Sequence, residues 1–212
     1  HMALLGGETA EMPGIYPVGE YDLVGTIVGS VQKSKIITGK SIRAGDVIIG
    51  FPSGGLQTNG FSLARKVLFD VCQHSWMDKL PGTDQTFGDA LLAVHRSFLK
   101  PVSALMAKIK INGMAHITGG GFVDNIPRVL PKCVNAEIDR ASWEVPTIFK
   151  FIERQGKVDR DEMYRVFNMG IGFILAVEKE EVEATLNKLK EINEPAYVIG
   201  EITESGEVDL VW

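Results

Sequence analysis

Two hydrophobic periods run along the chain. Residues 21–31 (YDLVGTIVGSV) and 46–51 carry short runs of β-branched and aliphatic side chains, which predict strands, the second of them buried. Further strands are predicted at 114–118, 134–138, 170–177 and 196–202. Between them the apolar spacing lengthens to three and four. Phe61, Leu63, Val67 and Leu68 mark one helix, and residues 86–98 predict an amphipathic helix with Leu91, Leu92 and Phe98 inward and His95 and Arg96 toward its polar side. Pro101 suits the first turn of a helix running on through 102–109. Helices are also predicted at 146–154, 159–166 and 179–189, and in the second of these Asp161 and Glu162 sit near the start, where acids suit the helix dipole. Strands and helices mixed without strict alternation predict an α+β fold, a mixed sheet with helices layered on it. The connector 33–45, rich in Lys, Ser and Gly, is the candidate boundary between a part spanning 1–32 and a main domain spanning 33–212. His1 and Met2 read as an added start and are left out of the fold reading.

Composition narrows the class. At 212 residues, 45% of them hydrophobic and 23% charged, the chain has ample material for a buried core and no signature of disorder. A net charge of -5 argues against a nucleic-acid binder, whose domains carry a basic excess. No apolar run approaches the roughly 18 residues of a membrane span. Cys72 and Cys133 have neither zinc-like spacing nor a disulfide framework, which predicts a reducing, cytoplasmic setting.

Three stretches carry candidate chemistry. In HITGGGFVDNIPR (116–128) a strand runs through Gly119, Gly120 and Gly121 into a helix, leaving N–H groups able to cradle an anion; a tight turn without a ligand is the plainer alternative. SGGLQTNGFSLAR (53–65) sets a second glycine turn between strand and helix, with Ser53, Thr58, Asn59, Ser62 and Arg65 as donors suited to a phosphoester. There the alternative is that Thr58 or Asn59 only caps the helix. GGETAEMPG (6–14) is an irregular acidic loop able to bring carboxylates to a metal, or an ordinary solvated loop. His95 is a candidate general acid or base, with a structural role as its alternative.

These stretches, with FNMGIG at 167–172, occur in an order and spacing that resemble the phosphoribosylformylglycinamidine cyclo-ligase (aminoimidazole ribonucleotide synthetase) family over nearly the whole chain. The resemblance implies ATP-dependent closure of an imidazole ring on formylglycinamidine ribonucleotide, with Mg2+, in a cytoplasmic enzyme of purine biosynthesis that is a homodimer when full length. It implies that Ser53, Gly54, Gln57, Thr58, Asn59, Ser62 and Arg65 lie at the ribonucleotide, and that Glu8, Thr118, Gly119, Gly120, Gly121 and Asn125 face the nucleotide, Glu8 also as a metal ligand. The chain departs from the family in having Gln57 for a histidine, Asp124 for a glutamate, and Val94, His95 and Arg96 for a Pro-Thr-Arg run. A glutamine cannot exchange a proton near neutral pH, which puts acid–base work at position 57 in doubt. The family's N-terminal domain, with its Asp-Ser-Val-Gly-Thr-Lys motif, is not in this sequence, so 1–32 reads as its last loop and strand and the chain as a truncated, inactive portion. The rivals are a related ATP-binding enzyme, such as a selenophosphate synthetase, a hydrogenase maturation factor or formylglycinamidine ribonucleotide amidotransferase, and a non-catalytic assembly module.

Overall fold

The computed structural model describes residues 6–7, 16–204 and 210–211. The chain forms two compact units, residues 1–36 and 37–212. In the first, the strand expected over 21–31 is not formed: the described residues there have no regular structure, and Leu23, Val24, Ile27 and Val28 are 75–92% exposed. The reason is physical. β-branched content favours a sheet, but a strand exists only where a neighbour takes up its N–H and C=O groups, and among the described residues none pairs with this one.

The second unit is built on a six-stranded mixed sheet of β1 (Val47–Pro52), β2 (Ile111–His116), β3 (Val134–Ile138), β4 (Ile171–Val177), β5 (Tyr197–Glu204) and β6 (Leu210–Val211), in the order β2-β4-β1-β5-β3-β6. Every neighbouring pair is antiparallel except β3 and β6. This is the α+β architecture expected from the pattern. The central strands read as continuous apolar runs because both faces of the sheet are covered. Ile48, Ile174 and Ala176 point into one core, which is closed by α1 (Phe61–Arg65), α2 (Phe87–Leu91), α4 (Gly121–Asn125), α5 (Thr147–Gly156) and α6 (Arg160–Val166). Ile49, Phe51, Leu175 and Val177 point into the other, closed by α3 (Leu99–Met106) and α7 (Val182–Glu191). α1 runs on into a π-helical turn, Lys66–Val71.

The pairing decides where the loops fall. β4 is antiparallel to both β1 and β2, with Pro52 opposite Ile171 and His116 opposite Phe173. The ends of β1 and β2 and the entry to β4 therefore share one edge of the sheet, and the stretches 53–60, 117–121 and 167–170 are delivered there together.

The helix expected over 86–98 begins where predicted but stops at Leu91. Its start is a capping box: the Thr86 hydroxyl accepts from the Asp89 N–H at 3.0 Å and the Asp89 carboxylate accepts from the Thr86 N–H at 2.9 Å. Beyond it, Leu92 is 82% exposed, while Leu91 and Phe98 are buried. Partners distant in sequence hold the segment out of a helix. Arg96 donates to the Pro52 carbonyl at 2.8 Å and pairs with Glu194, and Phe98 packs against Phe51 and Phe173.

Phe51 is wholly buried at the centre of the second core, edge-on to Phe98 and Phe173. Phe51→Ala is expected to lower the unfolding free energy by about 3–5 kcal/mol, read from urea unfolding by circular dichroism.

Candidate functional site

The loop leaving β1 is held from beneath. Ser53 is fully buried; its N–H donates to the Gly170 carbonyl at 2.8 Å and its hydroxyl donates to the Gly55 carbonyl at 2.9 Å. Asn168, also buried, donates through Nδ2 to the carbonyls of Gly55 at 2.9 Å and Leu56 at 3.1 Å, and accepts from the Gly170 N–H at 2.8 Å. The loop ends at Gly60, whose φ of 79° is left-handed and whose absent Cβ would lie 2.2 Å from the Phe167 ring, so only glycine fits. The FNMGIG run thus serves as the support of the first glycine turn rather than as a separate site.

Gln57 sits within this loop at a φ of 64°. Its Nε2 donates to the Ser53 carbonyl at 3.2 Å, and its Oε1 is buried with no partner among the described residues. A buried acceptor left unpaired costs about 1–3 kcal/mol. Thr58, Ser62 and Arg65 are exposed and Asn59 is half-buried. Neither Thr58 nor Asn59 caps α1: the N-cap is Gly60, without a side-chain hydrogen bond. Capping is therefore not what these polar groups are for.

The glycine triplet lies at the end of β2. Asn125 is buried and spends its amide on the turn itself, donating from Nδ2 to the carbonyls of Gly121 at 2.7 Å and Gly119 at 3.2 Å, while its Oδ1 accepts from Thr118 Oγ1 at 3.2 Å and from Arg128 at 3.3 Å. Gly121 has a φ of 56°, and a Cβ there would meet the Tyr164 carbonyl oxygen at 2.0 Å. Gly119, in contrast, is exposed, and a Cβ on it would stand 3.0 Å from Asn59 Oδ1. The two glycine turns meet at this point, on the surface of the unit.

The structure therefore brings Thr118, Gly119 and Asn59 to one place and puts Ser53 and Asn125 underneath as supports. Ser62 and Arg65 lie on α1, the helix that the first turn leads into. Glu8 lies outside the described residues. Among those residues no group of three or more His, Cys, Asp or Glu side chains is arranged to hold a metal.

One neighbouring feature escaped the sequence. His95 Nε2 lies 3.3 Å from His116 Nε2, across 21 positions of chain. In the sequence His95 is an isolated histidine and His116 the start of a glycine motif; nothing in their spacing announces the pair. His116 is half-buried against Phe98 and Phe173. Burial, and secondarily the His95 ring, hold its pKa below the ordinary 6.5.

Residues 43–212 match the family described as AIR synthase related protein, C-terminal domain. The chain is 53% identical over 203 residues to the phosphoribosylformylglycinamidine cyclo-ligase of Thermoanaerobacter sp. (strain X514), covering 96% of this chain and 60% of that protein. It is 54% identical over 201 residues to the protein of that name from Carboxydothermus hydrogenoformans (strain ATCC BAA-161 / DSM 6008 / Z-2901), covering 95% and 58%. The chain spans about 60% of the length of the curated relatives it matches. Among solved structures, hydrogenase maturation protein HypE superposes with a TM-score of 0.58 at 19% identity, over 84% of this chain and 50% of that one. Thiamine-monophosphate kinase from Stenotrophomonas maltophilia K279a superposes with a TM-score of 0.54 at 15% identity, over 85% and 54%. At such identities these two similarities speak for the fold alone.

Asn168→Ala removes three buried hydrogen bonds, and the Gly55 carbonyl keeps only the Ser53 hydroxyl. The substitution is expected to cost about 2–3 kcal/mol in urea unfolding and to speed amide exchange through residues 53–60. His116 has a lowered folded pKa, so the unfolded chain takes up its proton first as the pH falls. Its contribution to stability is complete above the unfolded value near 6.5, declines below it, and levels off under the folded value. His116→Gln is expected to flatten that part of the stability–pH curve relative to the unmodified protein.

Proposed function

Because the chain belongs to the AIR synthase related family, as its C-terminal domain, we propose that it forms the ribonucleotide-holding part of a phosphoribosylformylglycinamidine cyclo-ligase. The observation that carries this reading is the meeting of the two glycine turns at Asn59 and Gly119 on a buried amide support. In the proposed reaction the formamide oxygen of formylglycinamidine ribonucleotide takes the γ-phosphoryl group of ATP and ADP departs. An internal nitrogen then attacks the activated carbon. Phosphate leaves with the oxygen, a proton is lost, and the imidazole ring of aminoimidazole ribonucleotide closes.

The protein's part is positioning and the neutralising of phosphoryl charge. The exposed Arg65, with the hydroxyls of Thr58 and Ser62, offers donors to the ribonucleotide phosphate, and a guanidinium suits a phosphate's paired oxygens. Gly119 and Thr118 face the nucleotide. Asn125 acts beneath them as the turn's internal tie, not as a direct contact.

In this reading residues 1–32 belong to the ATP-binding domain and 33–212 to the C-terminal domain, and the full-length enzyme is a cytoplasmic homodimer using ATP and Mg2+. Among the described residues no helix is long and apolar enough to cross a membrane. The described residues supply no carboxylate cluster for Mg2+, and Glu8 lies outside them, so no step is assigned to the metal.

Calorimetric titration with formylglycinamidine ribonucleotide tests the proposal. Arg65→Ala is expected to weaken binding about tenfold or more, which is roughly 1.4 kcal/mol, without lowering the melting temperature, because Arg65 is exposed. This chain by itself is expected to show no ATP-dependent turnover. Cyclisation by it alone, or unchanged affinity in the Arg65 variant, would overturn the assignment.

A further inference from the structure

His95 lies on the irregular segment between α2 and α3, and His116 is the last residue of β2. They come from distant parts of the chain, yet their ring nitrogens face each other, Nε2 to Nε2, at 3.3 Å. Two neutral imidazoles in that arrangement have one stable solution without a third party: one nitrogen carries a proton and donates it to the other, over a long distance for such a bond. A metal ion is the other solution, since both lone pairs then point at one centre. At zinc–imidazole bond lengths of about 2.0–2.1 Å and a tetrahedral angle, the two nitrogens stand about 3.3–3.4 Å apart. The observed 3.3 Å matches this spacing as well as it matches a long hydrogen bond.

We propose that His95 and His116 form a binding site for a borderline divalent transition ion such as Zn2+, Ni2+ or Cu2+, with water in the remaining coordination positions. The donor set points to this class, because imidazole nitrogens favour these ions over Mg2+ and Ca2+, which take oxygen ligands. His116 is half-buried and braced by the rings of Phe98 and Phe173, with centroids 5.7 and 6.0 Å away, so one ligand is preoriented. His95 is exposed, so the ion has a path in from solvent. Burial also favours the neutral form of His116, which is the form that binds metal. Among the described residues no third His, Cys, Asp or Glu completes the set, and the site is therefore open. His116 lines a largely apolar groove of about 390 Å³ along with Phe98, Val102, Met106 and Phe173, so the open positions stand beside a cavity large enough for a small ligand. The proposal uses none of the side chains assigned to the ribonucleotide above and does not depend on that assignment.

The test is a titration of the metal-free protein, first dialysed against a chelator, with Zn2+ by calorimetry and with Cu2+ by electron paramagnetic resonance near neutral pH. One equivalent is expected to bind, with a Cu2+ spectrum showing two imidazole nitrogens. His95→Ala and His116→Ala are each expected to weaken Zn2+ binding about tenfold or more, while His74→Ala leaves it unchanged. Because His95 is exposed, its variant reports on the site even if the His116 variant folds poorly, and far-ultraviolet circular dichroism checks both. Absence of binding to the unmodified protein, binding that persists in the His95 variant, a one-nitrogen spectrum, or binding that follows His74 or His1 would each overturn the proposal.

Discussion

Two buried amides, those of Asn168 and Asn125, set the geometry on which the candidate site depends. Both sit where water is excluded, and in each case the side chain ties down backbone groups of a turn: the carbonyls of Gly55 and Leu56 for Asn168, those of Gly119 and Gly121 for Asn125. Glycine turns are entropically costly to order and have no side chains to pack. Without such ties, neither turn would present a fixed surface to a ligand. A buried polar group must be paired or it costs more than it contributes, so each amide constrains its turn to one conformation.

The sheet makes the ties possible. Antiparallel pairing of β4 with both β1 and β2 brings three loop regions, separated by more than a hundred residues of sequence at the extremes, to a single edge. Apolar packing on both faces keeps that edge rigid: one core lies under α1, α2 and α4–α6, the other under α3 and α7. The same edge places His116 beside the segment carrying His95, and it sets Arg96 against the end of β1. Polar chemistry collects there because that is where strands end and backbone groups must find partners other than a neighbouring strand.

How far each part was legible follows from how local its cause is. The strands β1, β3 and β4 and the helices α5 to α7 fell within a few residues of their predicted places, since burial on one or both faces leaves a periodic imprint. The Thr86 and Asp159 caps are local too, each settled within four residues. The segment 92–98 misled, because its apolar spacing is helical while Arg96 is held by Pro52 and Glu194, 44 and 98 positions away. The region 21–31 misled in the opposite direction: it has strand-forming residues without a paired neighbour among the described residues.

By itself the sequence determined the fold class, the order of most elements, the two glycine turns and the family to which they belong, all of which rest on short-range patterns and ordered motifs. The tertiary structure alone decided which groups each candidate residue meets. Asn125 and Ser53 tie their turns from within; Gln57 is left with an unpaired buried oxygen; Thr58 and Asn59 are not spent on a cap. The pairing of His95 with His116 had no sequence signal at all. A side chain's role depends on which groups remain unsatisfied around it once the chain has packed, and that is settled by partners distant in sequence.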